Sequence, residues 1–404
     1  MAVAMNVLVL SDAFWPDHYG GITKSLVTEV EGLVERGHDV VVASRRLDDD
    51  DASHERRDGY ELYRYDSPPQ DSALYHSYPL FSLGKVPRLL SRLDDRYDFD
   101  VAYVHNTFQA AGVALSSADV PAVTVFHAPI PREIEIDADQ GKYGWKTPFV
   151  RVANRGFKRL EGYTLRDASV VVTRSGFMTG ELDDLYGNVG PLREIPLAVD
   201  TDRFEYVADP TDVRDELDLP EDRPILLTVR RLVARMGLEN LVDAMETVAE
   251  RHPDALLLIG GKGYLAETLR EQIAAKGLEE NVRLLGFVAE EDLPTYYGAA
   301  DFFVMPTEQL EGFGLSTLES LSTGTPVVAT PVGGNPQVVG PLDDDLVCDG
   351  TAPDAIAENL CTWLDRDTGT GFRENCREYC VSRFSVDEVA SSLEATFEDA
   401  VERT

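Results

Sequence analysis

Lysine is scarce in this sequence, and basic residues are few overall. The 404 residues include seven lysines and thirty arginines, a basic total of 37 against 72 acidic residues, and the formal net charge is −35. A nucleic-acid partner is therefore not expected, because such partners are bound through clustered cations. The acidity is spread along the whole chain, which favours adaptation to a salt-rich cytoplasm. There the Debye length falls to about 3 Å near 1 M salt, and an acidic surface keeps a protein in solution.

Cysteine and long apolar runs are also scarce. The cysteines form no Cys-x-x-Cys pair and have no accompanying histidines, so we expect buried free thiols and no metal site at Cys348, Cys361, Cys376 and Cys380. No apolar run reaches the roughly 18 residues of a transmembrane helix. Residues 1–10 are apolar but lead directly into Asp12 without a basic leader or cleavage site. We interpret them as the first strand of a cytoplasmic protein.

Apolar runs of strand length alternate with helical patterns throughout, which indicates parallel sheets covered by helices. One set lies at residues 7–10, 39–43, 102–104, 122–126 and 170–173, and a second at 225–229, 255–259, 282–284, 302–305 and 327–329. A polar, proline-bearing segment at 200–224 separates the two sets. We predict an α/β protein with one Rossmann-like domain at residues 1–198, a second at 199–380 and a C-terminal helix within 381–404.

Two carboxylates eight positions apart, Glu311 and Glu319, enclose a glycine turn that leads into a helix near Leu315. The glycines let the backbone approach a ligand closely, and a helix start offers free N–H groups and a positive dipole end to an anion. An ionised Glu319 could also accept a pair of ribose-like hydroxyls. This arrangement suits a phosphorylated sugar. The segment from Ser316 to Glu319 is equally typical of a capping box, in which the helix satisfies its own amides.

In its setting between two apolar strands, this motif resembles the Glu-x7-Glu motif of glycosyltransferase family 4, the group 1 glycosyltransferases. The resemblance covers most of the chain, through segments at residues 5–11, 20–21, 124–129, 195–204, 228–237, 256–263, 286–288 and 300–334. It implies the GT-B fold, with two Rossmann-like domains facing across a cleft and a terminal helix that crosses back to the first domain. It also implies retaining transfer of a hexose from a nucleotide-sugar donor to a lipid, lipid-linked glycan or other glycan acceptor.

Arginines follow the first strand of the second half, and arginines at the end of a buried strand usually bind an anion. The family pattern here is Gly-Arg-Leu followed by Lys-Gly, and its two cations neutralise the leaving diphosphate. Arg231 matches the first cation, whereas Arg230 replaces the glycine and Met236 stands at the lysine position. Arg235 is the candidate for the second cation, because its long side chain can reach the same place. Ion pairing with acidic surface groups is the alternative.

The resemblance also implies contacts between the donor and other loops. A family histidine at the position of His127 lies beside the donor sugar, although a lone histidine after a buried strand is more often a structural hydrogen-bonding group. Gly20 and Gly21 precede a helix and could close on a phosphate, although a plain turn also explains them. The predicted donor-binding residues are Gly20, Gly21, Arg231, Arg235, Gly263, Val288, Glu311, Phe313, Gly314, Leu315, Ser316 and Glu319.

These residues predict electrostatic catalysis that needs no metal or other cofactor. Arg231, Arg235 and the helix start would stabilise the departing nucleoside diphosphate. Glu311 and His127 would hold the sugar, so Arg231, Glu311 and His127 are the candidate catalytic residues. Two alternatives stay open. One is a sugar-nucleotide epimerase of the same fold, against which the Glu-x7-Glu motif argues, and the other is a weak or inactive nucleotide-sugar-binding scaffold, suggested by the missing lysine.

A basic segment stands out in this acidic chain at residues 142–166, from Lys142 to Arg166. It holds Lys142, Lys146, Arg151, Arg155, Lys158, Arg159 and Arg166 against Glu161 alone, with Trp145, Phe149, Phe157 and Tyr163 between them. The pattern indicates a membrane-surface helix at the inner face of the cell membrane, where it could present a lipid-linked acceptor. The alternative is a helix whose cations pair with the acidic remainder of the protein. Salt would weaken electrostatic attachment.

Overall fold

The structure is a computed structural model that describes residues 4–14, 21–48, 50–69, 72, 75–139, 142–366 and 369–404. The chain divides into two compact units: one holds Met1–Pro196 together with Val386–Thr404, and the other holds Leu197–Ser385. The predicted domain boundaries after residues 198 and 380 lie near these divisions. They stay predictions, because compactness alone does not show which segments fold independently.

The first unit contains one large sheet. Its strands are β1 (Asn6–Leu10), β2 (Asp39–Arg45), β3 (His54–Arg57), β4 (Tyr60–Tyr65), β5 (Val101–Val104), β6 (Ala122–Phe126), β7 (Val170–Thr173) and β8 (Leu192–Glu194). They lie in the order β3-β4-β2-β1-β5-β6-β7-β8. The β3–β4 pair is antiparallel and all other pairs are parallel. The central strands consist almost wholly of buried apolar residues, because helices cover both faces of a parallel sheet.

Seven α-helices of the described residues belong to this unit. They are α1 (Gly21–Glu35), α2 (Tyr78–Tyr97), α3 (Thr107–Ala114), α4 (Ile130–Asp139), α5 (Thr147–Asp167), α6 (Gly176–Tyr186) and the C-terminal helix (Val386–Glu402). The C-terminal helix packs against α1 and against β5, β6 and β7. It does so through Val389, Leu393 and Phe397, which recur at helical spacing and are buried. This confirms the expected return of the terminal helix to the first half.

The second unit contains a smaller, wholly parallel sheet. Its strands are β9 (Ile225–Val229), β10 (Leu256–Gly260), β11 (Val282–Gly286), β12 (Phe302–Met305) and β13 (Val327–Ala329), in the order β11-β10-β9-β12-β13. Its helices are α7 (Leu238–Arg251), α8 (Ala266–Lys276), α9 (Leu293–Ala299), α10 (Leu315–Ser322), α11 (Asn335–Val339), α12 (Pro353–Leu364) and α13 (Gly369–Phe384). The C-terminal helix of the first unit is therefore α14. One apolar core joins this sheet to its helices.

None of the helices in the described parts of the chain combines the length and the apolar character that a bilayer-spanning segment needs. The four cysteines are buried and unpaired, as the sequence predicts.

Candidate functional site

The second sheet has a topological switch point between β9 and β12. The chain leaves β9 towards β10 on one side, whereas β12 lies on the other side of β9. Such a point opens a crevice beyond the carboxyl ends of the two strands, where ligands of open α/β sheets bind. The register pairs Leu227 with Phe303, so Arg230 and Pro306, three residues further along, leave the sheet at the same level. The arginines that follow β9 and the loop that follows β12 therefore share one edge.

Arg230 and Glu311 form an ion pair at this edge. One guanidinium nitrogen, Nη2, lies 3.0 Å from Glu311 Oε2, and the side chains are only 7% and 13% exposed. Nη1 donates to Thr307 Oγ1 at 2.8 Å, and that hydroxyl donates to the same Glu311 oxygen at 3.2 Å. Burial lowers the pKa of Arg230, and the negative charge of Glu311 opposes that shift. The sequence identified Glu311 as a site residue but gave no role to Arg230.

The loop that carries Glu311 is held in an uncommon conformation. Leu310 has a φ of 56°, which a bulky residue rarely adopts and which is typical of functional sites. Arg235 Nη1 donates to the Leu310 carbonyl at 3.2 Å. The Gly334 N–H donates to the Glu311 carbonyl at 3.0 Å. Gly333 has a φ of 62°, and a Cβ there would lie 1.9 Å from the same carbonyl oxygen. The backbone around Glu311 therefore depends on glycine in the facing loop.

Helix α10 begins at Leu315, as predicted, and Gly314 is its N-cap with a φ of 78° and no side-chain cap. The alternative capping box from Ser316 to Glu319 therefore does not form. Glu319 Oε2 instead accepts a hydrogen bond from the Tyr297 hydroxyl at 2.7 Å. The φ of 78° at Gly314 is one that a residue with a side chain rarely adopts, so the backbone here favours glycine. Among the described residues, no side chain accepts from the first N–H groups of the helix, as an anion site requires.

Two further cations belong to the same edge. Arg231 is exposed, and within the described residues no hydrogen bond or ion pair engages its side chain. Arg235 is half-buried and contacts the Leu310 carbonyl, whereas Met236 is 7% exposed and packs into the core. The position of the family lysine is thus occupied by a core residue. Arg235 is the neighbouring cation that lies near the Glu311 loop.

The loops after β10 and β11 complete this edge. A Cβ on Gly263 would lie 2.1 Å from the Leu232 carbonyl oxygen, so this glycine lets the β10 loop pack on the arginine loop. Val288 is buried against Gly260. Phe287 beside it is 58% exposed, and Lys262 Nζ lies 4.4 Å from its ring centroid. The sequence predicted Gly263 and Val288 as contact residues but not the exposed Phe287, although an aromatic residue directly after a strand was visible. Phe313, also predicted, is buried and packs against Phe384.

The first unit contains a histidine pair at the carboxyl edge of its own sheet. His105 follows β5 and His127 follows β6, and these strands are parallel neighbours. His105 Nδ1 lies 2.8 Å from His127 Nε2. Burial, reinforced by the positive Arg174, lowers the pKa of His127 to about 3, and burial lowers the pKa of His105 well below its ordinary value. The sequence missed His105, although both histidines directly follow adjacent strand patterns.

A buried ionic network lies beneath this pair. Arg174 follows β7, and its Nη2 lies 2.8 Å from Glu29 Oε1 on α1, with both side chains almost fully buried. The Tyr103 hydroxyl donates to Glu29 Oε2 at 2.8 Å. The network ties α1, which begins at Gly21, to β5 and to the residue that follows β7. A Cβ on Gly21 would meet nothing within 4 Å, so a ligand could approach it. Gly20, the other predicted glycine, lies outside the described residues.

The basic segment forms an exposed stripe along α5 and the turn before it. We call the residues Trp145, Phe149, Val152, Gly156, Arg159 and Tyr163 the α5 stripe; all are exposed, and they recur at alternating steps of four and three. Trp145 is 78% exposed and Phe149 71%. A shallow groove of about 610 Å³ beside the stripe is lined by Trp145, Thr147, Pro148, Arg151, Val152 and Arg155. Arg151 pairs with Asp139, whereas Arg155 and Arg159 have no such partner among the described residues.

The chain belongs to the group 1 glycosyltransferases, glycosyltransferase family 4. The sequence profile described as Glycosyltransferase Family 4 matches residues 19–203, and the profile described as Glycosyl transferases group 1 matches residues 209–382. The two matches together span most of the chain. They confirm the resemblance that the Glu-x7-Glu motif indicates.

Relatives and solved structures agree with this assignment. A GDP-mannose-dependent phosphatidylinositol monomannoside mannosyltransferase of Mycobacterium tuberculosis is 33% identical over 234 residues, which is 55% of this chain and 60% of that relative. The sucrose-phosphate synthase of Thermosynechococcus elongatus has a TM-score of 0.81 at 22% identity, covering 99% of this chain and 100% of that one. Anabaena HepE in complex with UDP and glucose has a TM-score of 0.73 at 20% identity, covering 98% and 99%. The structural likeness confirms the GT-B fold.

Proposed function

We propose that this chain is a retaining glycosyltransferase that moves a hexose from a nucleoside-diphosphate sugar to an acceptor hydroxyl. The observation that carries the proposal is the carboxyl edge of the second sheet. There Arg231, which is exposed, and a helix start without a side-chain cap occupy the same edge as two carboxylates, the half-buried Glu311 and the buried Glu319. Cations and helix amides suit a diphosphate, whereas carboxylates suit the hydroxyls of sugars. Family membership supports the same assignment.

The departing nucleoside diphosphate is the group that needs stabilisation in this reaction. Arg231, Arg235 and the first N–H groups of α10 supply fixed positive charge without reorganisation at the moment of transfer. The proposed chemistry routes no step through a metal. Within the described ranges, no group of three or more His, Cys, Asp or Glu could hold one.

In this proposal the two carboxylates bind different parts of the donor. Glu311 accepts hydrogen bonds from the sugar through Oε1, because Oε2 is engaged by Arg230 and Thr307. Glu319 accepts from the ribose while Tyr297 holds its Oε2. His127, neutral because its pKa is lowered to about 3, serves as an uncharged hydrogen-bonding group for the sugar. It is a positioning group and neither an acid nor a base.

The anomeric configuration is retained if the old bond to the anomeric carbon breaks and the new bond forms on the same face of the sugar, as the family resemblance implies. The bond from that carbon to the diphosphate oxygen breaks, and the bond from the acceptor oxygen forms on the same side. The acceptor proton passes to the departing phosphate. Charge on that phosphate is what Arg231 and the α10 start offset.

The test is nucleotide release from GDP-mannose, UDP-glucose and ADP-glucose at molar salt, with a crude lipid or glycan extract as acceptor. We expect release with at least one donor, and we expect Arg231→Met to lower kcat/KM by about 100-fold, the usual effect of removing one charge-stabilising group. Arg283→Met is the matched control, because Arg283 is also exposed and lies near the amino end of β11, away from the carboxyl edge of the sheet. Donor binding without release in the wild type would favour the scaffold alternative. A change of donor configuration without transfer would favour the epimerase.

We further propose that the α5 stripe rests on an anionic membrane surface and brings a lipid-linked acceptor to the enzyme. Exposed aromatic residues beside unpaired arginines suit the interfacial region of a bilayer, and charge complementarity favours anionic lipids. Arg155 and Arg159 together contribute about 2 kcal/mol to the free energy of binding to such a surface. This raises the partition coefficient between membrane and water about thirtyfold.

Vesicle co-sedimentation tests the membrane proposal. We expect binding to vesicles that contain phosphatidylglycerol and weaker binding to phosphatidylcholine alone, with loss of binding for Trp145→Ala combined with Phe149→Ala. Leu115→Ala is the matched control, because Leu115 is 66% exposed in the same unit but outside the stripe. Equal binding by the wild type and the Trp145 and Phe149 variant would refute the membrane role of the stripe.

A further inference from the structure

Arg230 is a buried cation that neither the donor-binding set nor the proposed transfer step uses. It is the first residue after β9, and its side chain is 7% exposed. Its Nη1 and Nη2 atoms contact Thr307 Oγ1 and Glu311 Oε2, and the hydroxyl of Thr307 closes the triangle. Its Nε is buried and has no hydrogen-bond partner. One terminal nitrogen of Arg230 therefore contacts the Glu311 carboxylate directly, and the other contacts the Thr307 hydroxyl that is bonded to this carboxylate.

The side chain of Glu311 is only 13% exposed. A charge held so far from water costs free energy unless an opposite charge and hydrogen bonds compensate for the lost hydration. The groups around Glu311 come from three places: Arg230 directly after β9, Arg235 in the turn at residues 234–236, and Thr307 on the loop that carries Glu311. Arg230 is the cation in direct contact. Arg235 reaches the Leu310 carbonyl and not the carboxylate.

The hydrogen bonds at Glu311 leave one of its two carboxylate oxygens available to a ligand. Both hydrogen bonds to the Glu311 carboxylate end on Oε2. Within the described residues, Oε1 is engaged by no hydrogen bond or ion pair. Arg230 and Thr307 both donate hydrogen bonds to Oε2 of Glu311. Because hydrogen bonds have preferred directions, these two donors fix the plane of the carboxylate as well as its position.

We propose that Arg230 is a positioning residue that supplies the counter-charge of the Glu311 carboxylate and turns its Oε1 towards the donor sugar. The sugar-binding half of this inference rests on the proposed function. Its charge half does not, because the ion pair exists without a ligand. Without Arg230, the carboxylate would lose the cation that contacts it and would lose its fixed orientation.

The charge half is tested by thermal unfolding of Arg230→Met, Glu311→Gln and the double variant. Each single change removes the same ion pair between the Arg230 guanidinium and the Glu311 carboxylate. The fall in melting temperature of the double variant should therefore be clearly smaller than the sum of the two single falls. Arg373→Met is the matched control, since the side-chain hydrogen bonds of this buried arginine end, among the described residues, on carbonyls and the Thr325 hydroxyl. Its effect should add to that of Glu311→Gln.

The sugar half is tested by calorimetric binding of GDP-mannose and UDP-glucose, with GDP and UDP as probes that lack the sugar. Arg230→Met should lose affinity for the nucleotide sugar by about tenfold, and Arg230→Lys should recover part of that loss. Affinity for the nucleoside diphosphate should not change. Equal affinity for the nucleotide sugar in the wild type and Arg230→Met would overturn the positioning role.

The two proposals fail in different ways. If the effects of Arg230→Met and Glu311→Gln simply add in the double variant, the inference is wrong whatever the donor experiments show. If the unfolding experiment shows coupling but the wild type binds neither nucleotide sugar nor nucleoside diphosphate, the proposed function is wrong, and so is the sugar half of the inference.

Discussion

Removing the Tyr297 hydroxyl should both destabilise the second unit and weaken nucleotide binding. Tyr297 is 1% exposed, and its hydroxyl donates to Glu319 Oε2 at 2.7 Å. Burial and the charge of Glu319 raise the pKa of Tyr297 well above its ordinary value, so the phenol stays a donor at every accessible pH. Tyr297→Phe removes one oxygen atom from the packed core and leaves the carboxylate with one donor fewer.

The expected loss follows from the kind of bond that is removed. A hydrogen bond to a charged group contributes about 1.5–3 kcal/mol to stability. Because Glu319 is 7% exposed, water cannot fully replace the lost donor. A loss of about 2 kcal/mol corresponds to a fall in melting temperature of about 4–8 °C for a unit of this size. A carboxylate that is less firmly held should also bind the ribose about fivefold more weakly, which is about 1 kcal/mol.

Urea unfolding and calorimetric binding of GDP and UDP measure these two effects. Tyr379→Phe is the matched control, because its hydroxyl donates to the neutral Val338 carbonyl at 2.8 Å in the same unit. That variant should lose only about 1 kcal/mol and should bind nucleotide as the wild type does. If Tyr297→Phe is as stable as the wild type, or loses stability without any change in nucleotide affinity, the reasoning about Glu319 is refuted.

Three further predictions follow from the same structure. Gly333→Ala places a Cβ 1.9 Å from the Glu311 carbonyl oxygen at a φ of 62°, so the rate of nucleotide release should fall at least about tenfold. Gly277→Ala is the control and should have only a minor effect, because φ there is 66° but a Cβ would meet no atom within 4 Å. The neutral His105 and His127 should make unfolding free energy fall as the pH drops below about 6.5, by up to about 1.4 kcal/mol per pH unit for each histidine, because only the unfolded chain binds these protons. Replacing both by asparagine should reduce that slope, and an unchanged slope would contradict the assigned neutral state. The net charge of −35 should make the melting temperature rise between 0.1 M and 2 M KCl; a flat or falling curve would refute the halophilic interpretation.

Much of the fold was predictable because its strands are apolar and its motifs follow them. The sequence runs that form β1, β5, β6 and β7 are continuous stretches of apolar residues, so they are recognisable as buried strands from the sequence alone. β3 and β4 were not predicted, because His54–Arg57 and Tyr60–Tyr65 are rich in charged and polar residues. They form an antiparallel hairpin at the sheet edge, and edge strands face solvent more than central ones do.

The site was predictable to the extent that residue type reveals chemistry. Glu311, Glu319 and the start of α10 were located by spacing, whereas the choice between an anion site and a capping box depended on the backbone of Gly314, which the sequence does not specify. Arg230 was visible only as a departure from the family pattern. That it binds Glu311 depends on the direction of two side chains from neighbouring strands, and no local pattern encodes this.

Binding of a nucleotide-sugar diphosphate at the carboxyl edge of the second sheet is tested most directly by a crystal structure of the protein soaked with the nucleotide sugar that gives the largest thermal shift. We expect diphosphate oxygens within hydrogen-bond distance of the Leu315 and Ser316 N–H groups and of the Arg231 guanidinium, with the ribose at Glu319. A diphosphate bound elsewhere, with Arg231 still unengaged, would contradict it.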